Sequence, residues 1–110
     1  MFDGAWLKPG ASVCAVGTSL CPGSEIDAAT RQQSSLVIVE WKPQSLVEAS
    51  EIVMGLQNKS LSLDRIKDLP EMLASKSTWR KHPDDVLLFK AVGVGLSDLV
   101  VAQLAVNKLI

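Results

Sequence analysis

Two glycine-bearing turns are the places in this chain where residue type and spacing point most directly to chemistry. Gly17-Thr18-Ser19 follows the apolar run Ser12 to Val16, and Gly93-Val94-Gly95 follows the apolar run Val86 to Phe89. Glycine lets the backbone turn tightly and approach a partner closely, and ligands of open α/β sheets bind outside the carboxyl ends of strands. The first turn therefore either lines a ligand pocket or is plain turn chemistry. The second stands ahead of Ser97 and Asp98, short polar residues suited to the start of a helix. It either presents amides to an anion, with the helix dipole adding about 0.3–1 kcal/mol, or is a packed strand-to-helix turn.

Other titratable residues carry less. Glu48 and Glu51 are three apart on an expected helix and form an acid pair on one side, or belong to a solvated face, or one of them caps a neighbouring turn. His82, beside Pro83 in a polar stretch, reads as a solvated loop residue. Cys14 and Cys21 lie seven residues apart, and with one histidine the chain has too few ligands for a zinc site. Two free thiols are expected, with Cys14 behaving as a small core residue. No metal site and no catalytic residue is assigned.

The elements that must position these turns follow from hydrophobic periodicity. Ser12 to Val16 and Leu36 to Glu40 read as strands, the second fully buried, and Val86 to Phe89 reads as a strand covered on both faces. Glu25 to Gln33 reads as a short helix after the turn signal Pro22-Gly23. A longer helix is expected from about Gln44 to Leu56, with Pro43 near its first turn. Residues 58–67 read as loop or short edge strand, Asp68 caps a helix through Ala74, and 76–83 form an exposed connection. The last helix, about Leu96 to Lys108, is apolar nearly all round and is expected to be buried on more than one side.

Strand, helix, strand, helix, helix, strand, helix is the order of a parallel sheet with crossover helices. The expected fold class is α/β, a two- or three-layer partial Rossmann-like unit with a small, mostly parallel sheet of three to four strands. With 110 residues, 47% hydrophobic and 21% charged, the chain suits one α/β domain over 1–110. A net charge of −1 with scattered lysines and arginines excludes the electrostatic footprint of nucleic-acid binding. The apolar region Leu99 to Ile110 is interrupted by Gln103, Asn107 and Lys108 and falls short of the roughly 20 residues a membrane span needs. No basic segment followed by an apolar one opens the chain, so the cytoplasm is the expected compartment.

Four blocks together resemble the C-terminal part of the ornithine cyclodeaminase and mu-crystallin family. They are Phe2 to Gly10, Val16-Gly17-Thr18-Ser19 leading to Glu25-Ile26-Asp27, Glu48 to Ile52, and Arg80 to Asp98, the last with Leu88-Phe89-Lys90-Ala91-Val92-Gly93. The resemblance implies the second half of a Rossmann-like domain for NAD(H) or NADP(H), plus a C-terminal helix. It nominates Gly17, Thr18, Ser19, Ala91, Val92 and Gly93 as cofactor-binding. It also implies departures. No Gly-x-Gly-x-x-Gly follows a strand, since Asp98 stands where a third glycine would fall. Ser19 occupies the place of the acid that serves as base in cyclodeaminating members, Gly23 stands where a basic residue is frequent, and Ala91 replaces a small hydroxyl residue. The first half of the nucleotide domain and part of the substrate domain have no counterpart in these residues.

Two functions are therefore expected in competition. One is a free-standing, catalytically inactive derivative acting as a homodimer or higher homo-oligomer in binding or interaction, with an unidentified small-molecule ligand. The other is part of an NAD(P)-dependent amino acid dehydrogenase or ornithine cyclodeaminase completed by another chain.

Overall fold

The computed structural model describes residues 2–17 and 22–110. Four strands form one sheet: β1 (Ser12–Ala15), β2 (Ser34–Val39), β3 (Ile66–Asp68) and β4 (Val86–Lys90). Their spatial order is β1-β4-β2-β3, and every pairing is parallel. The chain's last strand thus inserts between the first two. Five helices connect and follow them: α1 (Ala28–Gln33), α2 (Lys42–Glu48), α3 (Ser50–Gln57), α4 (Leu69–Ala74) and α5 (Gly95–Leu109). The α/β class and the parallel sheet match the sequence expectation. The undecided 58–67 segment ends in the short edge strand β3.

The pleat sorts side chains between two faces. Pairing aligns Ala15 with Lys90, and Lys90 with Val39, so these residues share one face with Leu88, Val37 and Ile66. Ile26, Ala49, Ile52 and Leu61 pack on that face to complete the buried core. On the other face Leu36, Ile38, Leu87 and Phe89 are only half-buried. The expectation that β2 is fully buried and β4 covered on both faces is corrected: only the core face of each strand is fully buried. Cys14 is corrected for the same reason. Alternation turns it to the open face of an edge strand, and it is an exposed free thiol.

Local chemistry sets the helix starts. Asp27 is extended and its carboxylate accepts from Thr30 N at 2.8 Å and Thr30 Oγ1 at 2.7 Å, so α1 begins at Ala28 rather than at Glu25. The same carboxylate accepts from Gly4 N at 2.8 Å and pins the N-terminal segment to the helix. Asp68 and Glu71 form a reciprocal capping box on α4. The single helix expected from Gln44 to Leu56 is two, because buried Ala49 takes ψ 100° and breaks the ladder. On either side of the break Glu48 lies at the surface and Glu51 is wholly buried.

α5 departs furthest from expectation. None of its residues is buried, and Leu96, Leu99, Val101 and Leu104 are each more than half exposed. It leaves the sheet at Gly95, and its first turn faces Leu69 and Leu73 of α4 across an open cleft. At 15 residues it is about 22 Å long. No helix of the described residues is long and apolar enough to cross a membrane.

The capping carboxylates give the fold a predictable acid limb. The amide of Gly4, with Thr30, holds Asp27 below its usual range. Lys42, with the Asp68 amide, lowers Glu71 to about 2 from 4.5. A depressed carboxylate stabilises the fold above its unfolded pKa and loses that contribution as pH falls through its folded one. Unfolding midpoints in urea are therefore expected to fall as pH drops from about 4.5 towards 2, and the doubly substituted D27N/E71Q chain to show a flatter profile. An equal slope in both proteins would contradict this assignment.

Candidate functional site at the carboxyl ends of the strands

Because β1 and β4 are parallel neighbours, the residues following them emerge at the same end of the sheet. Gly17 and Ala91–Gly93 are thereby brought together, as the sequence expects. Thr18 and Ser19 lie outside the described residues. Ala91 N donates to Ala15 O at 3.0 Å, continuing the ladder past β4. Val92 is half-buried against the core, and Gly93 turns the chain at φ +89°, in the left-handed region that favours glycine. A Cβ placed on Gly93 would meet nothing within 4 Å, so this side of the turn is open to close approach.

The turn amides are not open. Gly17 N donates to both oxygens of Glu25, at 2.9 and 2.8 Å, and a Cβ on Gly17 would fall 2.6 Å from that carboxylate. Val92 N and Gly93 N both donate to Glu40 Oε2, at 3.0 and 2.8 Å. Of the two meanings the sequence leaves for the Gly93 turn, the structure gives amides that do meet an anion, but the anion is internal.

Beneath Gly17 lies a cluster of three charges that sequence reasoning misses. Lys90 is wholly buried on the core face at the end of β4, and its Nζ sits 2.7 Å from Glu25 Oε1 and 3.6 Å from Glu51 Oε2. Glu51 Oε1 also accepts from Glu25 N at 2.8 Å, and Ser50 Oγ donates to Gly23 O. The expectation that one glutamate of the pair 48 and 51 caps a neighbouring turn is met by Glu51. The acid pair is not, since Glu48 sits on the surface bonded to Gln44. A signal was present in the sequence: Glu40 and Lys90 are charges placed directly after apolar strand residues, where a buried strand meets its ligand edge. His82 is exposed beside Asp84, as expected, and the described residues hold no metal-binding group of His, Cys, Asp and Glu.

A second feature borders the same end. Glu40, Trp41, Leu69, Leu73, Val94 and Leu96 line an open apolar cleft of about 510 Å³ between α4 and the first turn of α5. Its size suits a small molecule or an inserted side-chain cluster.

Removing one partner of a buried ion pair leaves an uncompensated charge and costs about 3–5 kcal/mol. Lys90→Met is expected to destabilise the chain by that order, measured by urea unfolding. K90M/E51Q should recover part of the loss, because only one carboxylate then remains without its ammonium. A double variant no more stable than K90M would contradict the coupling.

The comparisons with known proteins agree with this geometry. The profile of the Ornithine cyclodeaminase/mu-crystallin family matches residues 1–110. A Delta(1)-pyrroline-2-carboxylate reductase of Colwellia psychrerythraea is 31% identical over 110 residues, covering 99% of this chain and 34% of its own. Among solved structures, a probable ornithine cyclodeaminase from Bordetella pertussis superposes with a TM-score of 0.82 at 35% identity, over 92% of this chain and 32% of that one. The Delta(1)-pyrroline-2-carboxylate reductase of Thermococcus litoralis, solved in complex with NADH and L-proline, gives a TM-score of 0.86 at 27% identity over 97% and 33%. The chain spans about a third of the length of these relatives. The parallel α/β sheet is thus Rossmann-like, and the chain belongs to the ornithine cyclodeaminase/mu-crystallin family, of which it represents a fragment.

Proposed function

We propose that this chain contributes the strand ends at Gly17 and Ala91–Gly93 to a nicotinamide-nucleotide site in a reductase acting on a cyclic imine. On this reading the site is complete only when another polypeptide extends the sheet at β1 and encloses α5. The observation that carries it is the parallel pairing of β1 with β4, which sets both glycine turns at one ligand edge while β1 itself remains an edge strand. Parallel sheets are normally covered on both faces, and this one has a half-exposed face.

The described residues fit only part of a dinucleotide. The open side of Gly93 and the apolar cleft suit its uncharged portion, whereas the amides of Gly17, Val92 and Gly93 are held by Glu25 and Glu40 and are closed to a pyrophosphate. The phosphate-binding glycines therefore belong to the completing polypeptide. A reduced nicotinamide, when bound, would supply the hydride for imine reduction. Reduction is preferred to cyclodeamination because the family resemblance sets Ser19, neutral at physiological pH, at the position of the cyclodeaminating base, and because relatives named as Delta(1)-pyrroline-2-carboxylate reductases match nearly the whole chain.

A homo-oligomeric binding module is the second reading, and the exposed α5 favours cover of some kind. A flat two-fold contact buries one side of a helix, whereas α5 is apolar nearly all round and suits a partner that surrounds it.

In calorimetry the isolated chain is expected to bind neither NADH nor NADPH at micromolar concentrations. Mixed with a polypeptide carrying the remaining two thirds of the Colwellia relative, it should support oxidation of NADH or NADPH by Delta(1)-pyrroline-2-carboxylate. No activity in a mixture shown to associate would overturn the proposal. A closed oligomer of the chain alone in light scattering, with nucleotide bound, would decide for the second reading.

A further inference from the structure

The amides of Val92 and Gly93 are a matched pair of donors with one acceptor, Glu40 Oε2, and that acceptor comes from a different strand, 52 and 53 residues earlier in the chain. Two convergent backbone donors on a single carboxylate oxygen make a charge-assisted arrangement, stronger than neutral hydrogen bonds. Gln44 completes the hold from the other side, donating through Nε2 to Gly93 O at 3.1 Å. The residue held from both sides is the one with φ +89°, where the chain changes direction.

What that direction controls is α5. The helix begins two residues later at Gly95 with no side-chain cap, and none of its residues is buried. Among the described residues, no side chain of α5 makes a hydrogen bond or ion pair to another element. The course of a 15-residue apolar helix is therefore set almost wholly by the turn at its base.

We infer that Glu40 is the positioning residue of the β4–α5 turn: its carboxylate is the built-in anion of the Val92 and Gly93 amides. It fixes the direction in which α5 leaves the sheet and closes that amide pair to the phosphate of a ligand. Glu40 also lines the apolar cleft beside Trp41 and Leu96, so the same contact fixes one wall of the cleft. The inference goes beyond the nucleotide reading and does not depend on it.

The test uses the ¹⁵N-labelled full chain and no nucleotide. In E40A the Val92 and Gly93 amide protons should move upfield and exchange with solvent at least about tenfold faster. E40Q, which keeps an uncharged acceptor, should rescue part of both effects, and D64A, which removes an exposed carboxylate with no bond to Gln44 or to the turn, should leave both amides unchanged. Titration with inorganic phosphate should not shift these two amides in the parent chain but should shift them in E40A, where the seat is empty. A folded E40A with both amides at parental shift and protection would overturn the inference. So would phosphate-induced shifts of the same pair in the parent chain. Should E40A fail to fold, E40Q and Q44A carry the same measurements, and two unperturbed amides in both variants would overturn it equally.

Discussion

The ammonium of Lys90, buried between Glu25 and Glu51, is the contact on which the ligand end of the sheet depends. A charge taken out of water is tolerated only when it is paired and its remaining valences are met. Here the requirement ties three separate segments to one atom: the end of β4, the segment before α1, and α3. Glu25 transmits the tie to Gly17 through two hydrogen bonds, so the turn after β1 is anchored to β4 through side chains as well as through the ladder. The break at Ala49 belongs to the same arrangement, because the turn of helix beyond it carries Glu51 to the cluster.

Backbone accounting explains why both glycine turns are stable where the sheet stops. Donors beyond a strand end have no ladder partner and must find another acceptor. Glu25 serves Gly17, and Glu40 serves Val92 and Gly93. The chain thus supplies its own anions at an edge where related folds place those of a ligand.

The exposed surface makes the complementary point. β1 is an edge, one sheet face is half-covered, and α5 carries apolar side chains around its circumference. A lone exposed leucine is ordinary, but an exposed helix that is apolar nearly all round is a large hydrophobic surface of the kind that marks an interface.

By itself the sequence determined the alternation of apolar runs and helical segments, and with it the α/β class, the parallel sheet and the convergence of two glycine turns at one edge. Those features are legible because periodicity and turn residues act within a few positions of the chain. It also carried the family resemblance, in blocks such as Leu88 to Gly93. What it did not determine is which face each strand buries and which charges meet. Cys14 looked internal because its neighbours are apolar, yet the pleat of an edge strand turns it outward. Glu51 was open to three readings, as an acid pair, a solvated face or a cap, yet a helix break delivers it to a lysine 39 positions away, and Glu40 reaches amides 52 and 53 residues on. Only the tertiary structure decides such pairings, because the energy of a buried charge depends on partners that folding alone brings within hydrogen-bonding distance.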